Sequence, residues 1–163
     1  MGNLSHFDDK GASRMVNVGE KPVSRRLARA SGIVRMGAET LSLIRDKRAA
    51  KGDVLEVSRI AGIMAAKRTA ELIPLCHTLP LESVTIDFSN MGDSTLRIEA
   101  IAKIEGKTGI EMEALTAVSV AALTVYDMCK AVDRSITIGP IQLEEKSGGR
   151  SGHWVRDATK RII

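Results

Sequence analysis

Apolar and polar residues alternate in two neighbouring stretches. Val84, Ile86 and Phe88 share one face of the first, and Leu96, Ile98, Ala100, Ala102 and Ile104 share one face of the second. Asn90-Met91-Gly92-Asp93 between them has turn chemistry, so the pair predicts an antiparallel hairpin. From Val23 to Met36 a basic stretch carries Ile33, Val34 and Met36, which suits an extended strand with one solvated face. Gly37 leads into AETLSLIRDKRAA, where Leu41, Ile44 and Arg45 recur at helical spacing. A second helix is predicted to start at Asp53, with Glu56 three residues on in a capping-box arrangement. It carries Val57, Ile60 and Met64 inward and ends near Leu72, because Pro74 disfavours helical geometry at Ile73. The segment Ile73 to Pro80 is bracketed by prolines and reads as an ordered loop. A long helix runs from about Ile110 to Val132. Ser135 to Leu143 reads as a strand that Pro140 places at an edge or a bulge.

The resulting order, strand, helices, hairpin, helix, strand, predicts an α+β fold. It is the ferredoxin-like β-α-β-β-α-β arrangement with an extra helix and the helices on one face of an antiparallel sheet. Residues 1–13 are expected to form a mobile arm and residues 14–145 a single domain. Residues 146–163 are expected to form a Gly-rich basic loop and a flexible tail, being too polar to pack a core.

Composition narrows the function classes. A chain of 163 residues with 44% hydrophobic content can build one core without disulfides, and Cys76 and Cys129 lack the spacing of a zinc site, so a cytoplasmic protein is expected. The longest uncharged run, Ala114 to Tyr126, is thirteen residues, shorter than the ~18 a membrane span requires. Asp8 and Asp9 stand where a signal peptide needs an apolar core. The net charge of +4 suits a small anionic ligand if the lysines converge. Aromatics at 2% argue against a module that stacks RNA bases. No nucleic-acid or membrane partner is expected.

The densest chemistry lies at the two ends of the long helix, in GIEMEALTAVSVAALTVYDMCK. Asp127 and Lys130 stand three apart and share a face. Glu113 lies 14 residues before Asp127, within about 40° of the same face but about 21 Å away along the axis. These two carboxylates cannot meet at one reacting atom within one subunit; a ligand serving both is either long or shared between subunits. Taken alone, Asp127 is balanced between a catalytic and a structural role. His77, in the proline-bracketed loop, has the chemistry to move protons near neutral pH, although a packed histidine is the more ordinary reading. Cys76 reads more simply as inert packing, and Lys67 and Arg68 as a solvated face. KSGG (Lys146 to Gly149) resembles a phosphate-cradling loop only in composition, and Cys76-His77 lacks the second cluster a metal site needs.

Taken together, LIPLCH (Leu72 to His77), GKTGIEMEALTAVSVAALTVYDMCKA (Gly106 to Ala131), KGDV (Lys51 to Val54), RIAGIMAAKRT (Arg59 to Thr69) and KSGG closely resemble the MoaC family of molybdenum-cofactor (molybdopterin) biosynthesis, over roughly Met15 to Gly152. The resemblance implies a lyase of the phosphorus-oxygen type. Its substrate is 3′,8-cyclo-7,8-dihydro-GTP, which it rearranges to a pyranopterin bearing a cyclic phosphate, with loss of diphosphate. By match to the family's motifs, Asp127 is the expected catalytic acid/base, assisted by Lys130 and Lys51. Leu75, Cys76 and His77, with Met112 and Glu113, contact the substrate. The resemblance further implies a homohexamer built from dimers, with sites between subunits, which would resolve the distance between Glu113 and Asp127. Lysines, with or without Mg2+, are suited to stabilise a diphosphate leaving group. Thr78 departs from the proline common in relatives at that position, and the tail from His153 lies outside the match. The competing reading is a ferredoxin-like module that holds a nucleotide without turning it over.

Overall fold

The computed structural model describes residues 10–157, so the first nine residues of the expected arm and residues 158–163 of the expected tail lie outside the described part of the chain. Its elements are β1 (Ser24–Arg35), α1 (Ala38–Arg45), α2 (Val54–Lys67), α3 (Thr69–Leu72), β2 (Ser83–Asn90), β3 (Thr95–Gly106), α4 (Glu111–Cys129), β4 (Thr137–Ser147) and β5 (Trp154–Val155). The five strands form one sheet in the order β2-β3-β1-β4-β5, every neighbouring pair antiparallel. The helices lie on one face. This is the α+β, ferredoxin-like arrangement, extended at one edge by β5.

The alternation in β3 sets the core. Leu96, Ile98, Ala100, Ala102 and Ile104 are each 3% exposed or less, and Ala28, Ala30 and Val34 of β1 are fully buried beside them. A fully buried Leu or Ile contributes about 1.5–3 kcal/mol relative to exposure. Alanines opposite leave room for α4, whose Ala114, Ala117, Val118, Ala121, Ala122 and Val125 are all fully buried. By length and composition α4 could cross a membrane. Here it is the central core helix, with charged residues at both ends.

The second helix corrects the sequence reading. Its capping residue is as expected, Asp53 Oδ1 accepting from the Glu56 amide at 3.2 Å, but the Glu56 carboxylate turns to Arg59 at 3.2 Å. Val57, Ile60 and Met64 point outward, whereas Val54, Ser58, Gly62, Ala65 and Ala66 are buried. Close approach to α4 decides this. A β-carbon at Gly62 would sit 2.7 Å from the Ala117 carbonyl oxygen and 3.3 Å from Ala121 Cβ, so only the small-residue face fits. The helix breaks at Arg68, resumes as α3, and stops at Leu72 ahead of Pro74.

Two further features position the site. α1 receives no side-chain cap from Gly37. Instead Asp133, just beyond α4, accepts from the Gly37 amide at 2.8 Å and from Thr40 Oγ1 at 3.2 Å, tying the end of α4 to the start of α1. β4 carries Pro140 where the β1–β4 register is irregular, and it continues to Ser147 rather than stopping at Leu143. The expected flexible tail is also corrected in part, since Trp154 and Val155 pair with Lys146 and Glu145 as β5.

Candidate active site

At the C-terminal end of α4, three of the expected residues come together. Lys130 Nζ lies 2.6 Å from Asp127 Oδ1, one helical turn away. Lys51 reaches across from the turn that precedes α2; its Nζ donates to the Asp127 carbonyl at 2.9 Å and lies 3.4 Å from Oδ2. The turn needs Gly52, whose φ of 101° lies in the left-handed region. The Lys130 ammonium, and after it Lys51, hold the Asp127 carboxyl below its ordinary range, while Asp127 raises Lys130. All three side chains are about half exposed, so water screens the pair and the cluster contributes little to stability. Its chemistry is that of an ionised carboxylate between two proton donors, open to solvent.

At the opposite end of the same helix, Leu75, Cys76, His77, Met112 and Glu113 line one cavity of about 320 Å³, together with Val16 and Val18. His77 Nε2 lies 2.8 Å from the Val16 carbonyl oxygen. A carbonyl only accepts, which places the ring proton on Nε2. Glu113 is 4% exposed, and burial, reinforced by the charge of Glu111, pushes its carboxyl up. The same burial, with Glu113 nearby, pushes the Cys76 thiol up. A thiol kept protonated is a packing and contact group rather than a nucleophile.

A larger cavity of about 580 Å³ adjoins this one, sharing Lys21, Thr108, Gly109 and Glu111 with it. Lys21, Arg26, Lys107, Lys146 and Arg150 line it against one carboxylate, Glu111. Lys146 Nζ pairs with Glu111 at 2.9 Å. Arg26 donates to the carbonyls of Gly106 and Gly148, each at 3.3 Å. Ser24 Oγ, on the same wall, is buried and has no protein partner. The volume is that of a small-ligand site and the lining is that of an anion site. Sequence reasoning missed these cations individually. A signal was present: Arg26 lies on the same face of β1 as Ala28 and Ala30, and Lys146 pairs directly with Ala28, so each puts a charge on an otherwise apolar face.

The chain therefore carries two candidate clusters separated by the length of α4, about 21 Å between residues 113 and 127 at the helical rise. Among the described residues no three His, Cys, Asp or Glu side chains gather as metal ligands. The cavity's donor set, cations with one paired carboxylate, does not suit a protein-held Mg2+, which prefers carboxylate and water oxygens.

The sheet order and the cation-lined cavity at the head of the core helix define a ferredoxin-like α+β protein whose largest described cation cluster lines a cavity of small-ligand size. Residues 15–149 match the MoaC family. The chain is 62% identical over 158 residues to the cyclic pyranopterin monophosphate synthase of Thermomicrobium roseum, covering 96% of this chain and 95% of the relative. It is 59% identical over 162 residues to the enzyme of that name from Magnetococcus marinus, covering 99% of both. A relative of the same name from Desulfitobacterium hafniense is 54% identical over 154 residues, covering 94% of both. The chain belongs to the MoaC family.

Proposed function

We propose that this protein is a cyclic pyranopterin monophosphate synthase, a cytoplasmic phosphorus-oxygen lyase of molybdenum-cofactor biosynthesis. It converts 3′,8-cyclo-7,8-dihydro-GTP to cyclic pyranopterin monophosphate and diphosphate. The observation that carries this reading is a pair of carboxyls driven in opposite directions, Glu113 up by burial and Asp127 down by two lysines. Asp127, a carboxylate ion-paired with two ammonium groups, is the group that exchanges protons with the substrate, and Glu113, buried at the other end of the helix, contacts the substrate. Lys51 and Lys130 relay protons and balance charge beside Asp127.

The phosphate chain fits the cavity lined by Lys21, Arg26, Lys107 and Lys146, with the heterocycle against Leu75, Cys76, His77 and Met112. In the phosphoryl step a substrate hydroxyl loses its proton to base and its oxygen bonds to the α-phosphorus. The bond from that phosphorus to the β-phosphate bridging oxygen breaks, and diphosphate departs with the electron pair, its charge met by the cavity cations. Any Mg2+ would enter on the phosphates, where it would shield charge. Because the two clusters sit at opposite ends of α4, the site is completed by the far end of the helix from a second copy. The assembly we infer is a homohexamer built as a trimer of dimers.

The test is incubation of purified protein with the cyclised nucleotide and assay for diphosphate. Release of one diphosphate per pyranopterin supports the lyase. Binding without release favours the alternative, a nucleotide-holding module.

A further inference from the structure

Between β4 and β5 lie six residues, 148–153, and among the first five of them Gly148, Gly149 and Gly152 all have positive φ (97°, 72° and 64°). Gly148, Gly149, Arg150 and Ser151 form one wall of the cationic cavity. A loop with three glycines in five residues has little shape of its own, and ordering it costs conformational entropy. Something outside the loop must hold it.

On the entry side, Ser147 is paired with Leu27 of β1 and Arg26 donates to the Gly148 carbonyl at 3.3 Å. Within the loop the Gly152 amide donates to the Gly149 carbonyl at 3.2 Å. The exit side is held by the four residues that follow. Trp154 and Val155 pair with Lys146 and Glu145. The Arg156 amide donates to the Glu144 carbonyl at 2.8 Å, and its Nε donates to the Leu143 carbonyl at 2.7 Å. Its guanidinium lies 3.8 Å from the Glu144 carboxylate and 5.8 Å from the centre of the Trp154 ring. His153 Nε2 lies 2.9 Å from Glu145 Oε1. Trp154 and Val155 are 40% and 51% exposed, so they add little to the core. Their visible consequence is to return the chain beside β4 and pin the loop at both ends. These residues fall beyond the stretch that matches the family.

We propose that His153–Arg156 is a positioning latch that fixes the Gly148–Gly152 loop so that its amides and Arg150 meet the phosphate oxygens of the substrate. The proposal rests on the cavity being the polyphosphate site. The latch acts through the loop and touches no reacting atom, so its loss weakens binding of the phosphate chain and leaves the chemical step alone. Preorganised loops raise affinity by sparing the ordering cost at the moment of binding.

The experiment compares wild type, Arg156→Ala, Arg156→Lys, a chain ending at Gly152, and Lys146→Ala. Inorganic triphosphate is titrated by calorimetry, and kcat and KM are measured with the cyclised nucleotide. Arg156→Ala and the shortened chain should each weaken triphosphate binding and raise KM by about ten-fold, with kcat within about two-fold of wild type. Arg156→Lys, which keeps the charge beside Glu144, should recover part of the loss. Trypsin should cut after Arg150 faster in the latch variants than in wild type. If the shortened chain does not fold, Arg156→Ala carries the comparison. Unchanged affinity and KM in Arg156→Ala, with weakened binding in Lys146→Ala, would overturn the latch and leave the polyphosphate reading standing. Unchanged affinity in Lys146→Ala would overturn the polyphosphate reading and the latch with it. A fall in kcat at constant KM in Arg156→Ala would also overturn the positioning role.

Discussion

Replacing Gly62 by alanine tests whether the closeness of α2 and α4 is what turned α2 away from its expected face. In an exposed helix the change would stabilise by about 0.4–1 kcal/mol through propensity and the unfolded chain. Here the new β-carbon would overlap Ile86 Cδ1 and sit 2.7 Å from the Ala117 carbonyl oxygen and 3.3 Å from Ala121 Cβ. Ile86 Cδ1 is the tip of a side chain and can rotate, although Ile86 is only 1% exposed. The Ala117 oxygen is helix backbone, and clearing it means moving one helix axis against the other. Overpacking of this kind costs about 1–3 kcal/mol, which outweighs the propensity gain and leaves a net loss of about 1–2 kcal/mol. For a chain of this size that is a Tm drop of roughly 3–6 °C. Urea unfolding should show a lower midpoint at unchanged slope. A raised Tm or midpoint would mean that the two helices are not in contact at this position.

Asp127→Asn should leave folding and assembly intact and cut turnover by about 10²–10⁴-fold, the usual share of a proton-transfer group, measured as diphosphate release; near-normal turnover removes Asp127 from the mechanism. Glu113 has a folded pKa raised by burial, so its contribution to stability is full below the ordinary glutamate range and is lost as pH rises through the folded value. Glu113→Gln should therefore gain stability relative to wild type as pH rises above the ordinary glutamate range in urea titrations, and a difference independent of pH would contradict a carboxyl raised by burial. Asp133 is the opposite case, its carboxyl lowered from 3.8 to about 2 by bonds from Ser135, Gly37 and Thr40. Its stabilisation is present above pH 3.8 and is lost as pH falls toward 2, so the deficit of Asp133→Asn should shrink across that window. A constant deficit would show that the bonds to α1 do not depend on the charge.

The strands were legible where burial and alternation coincide. In β3 every second residue from Leu96 to Ile104 is buried, and the hairpin follows with its turn. Asp127, Lys130 and Lys51 were legible as a group only through the motif resemblance, since Lys51 is 76 residues from Asp127 and no local period connects them. The face of α2 was not legible from hydrophobicity. Helices that approach closely bury glycine, serine and alanine, which leaves Val57, Ile60 and Met64 outside. The end of β4 was hidden by its charges, because Glu144, Glu145 and Lys146 read as loop until Arg156, Arg29 and Glu111 are seen opposite them. The cationic cavity was hidden for a similar reason, its lysines and arginines being spread from residue 21 to residue 150.

Mixing two inactive variants tests most directly whether a working site takes one end of α4 from each of two copies. His77→Ala damages only the head of the helix and Asp127→Asn only its tail. If dimers reassort at random after the two are mixed, half are mixed, and each mixed dimer holds one intact site of two. Diphosphate release should then recover to about a quarter of wild type. No recovery, with exchange of subunits verified by mass, would contradict a site shared between copies.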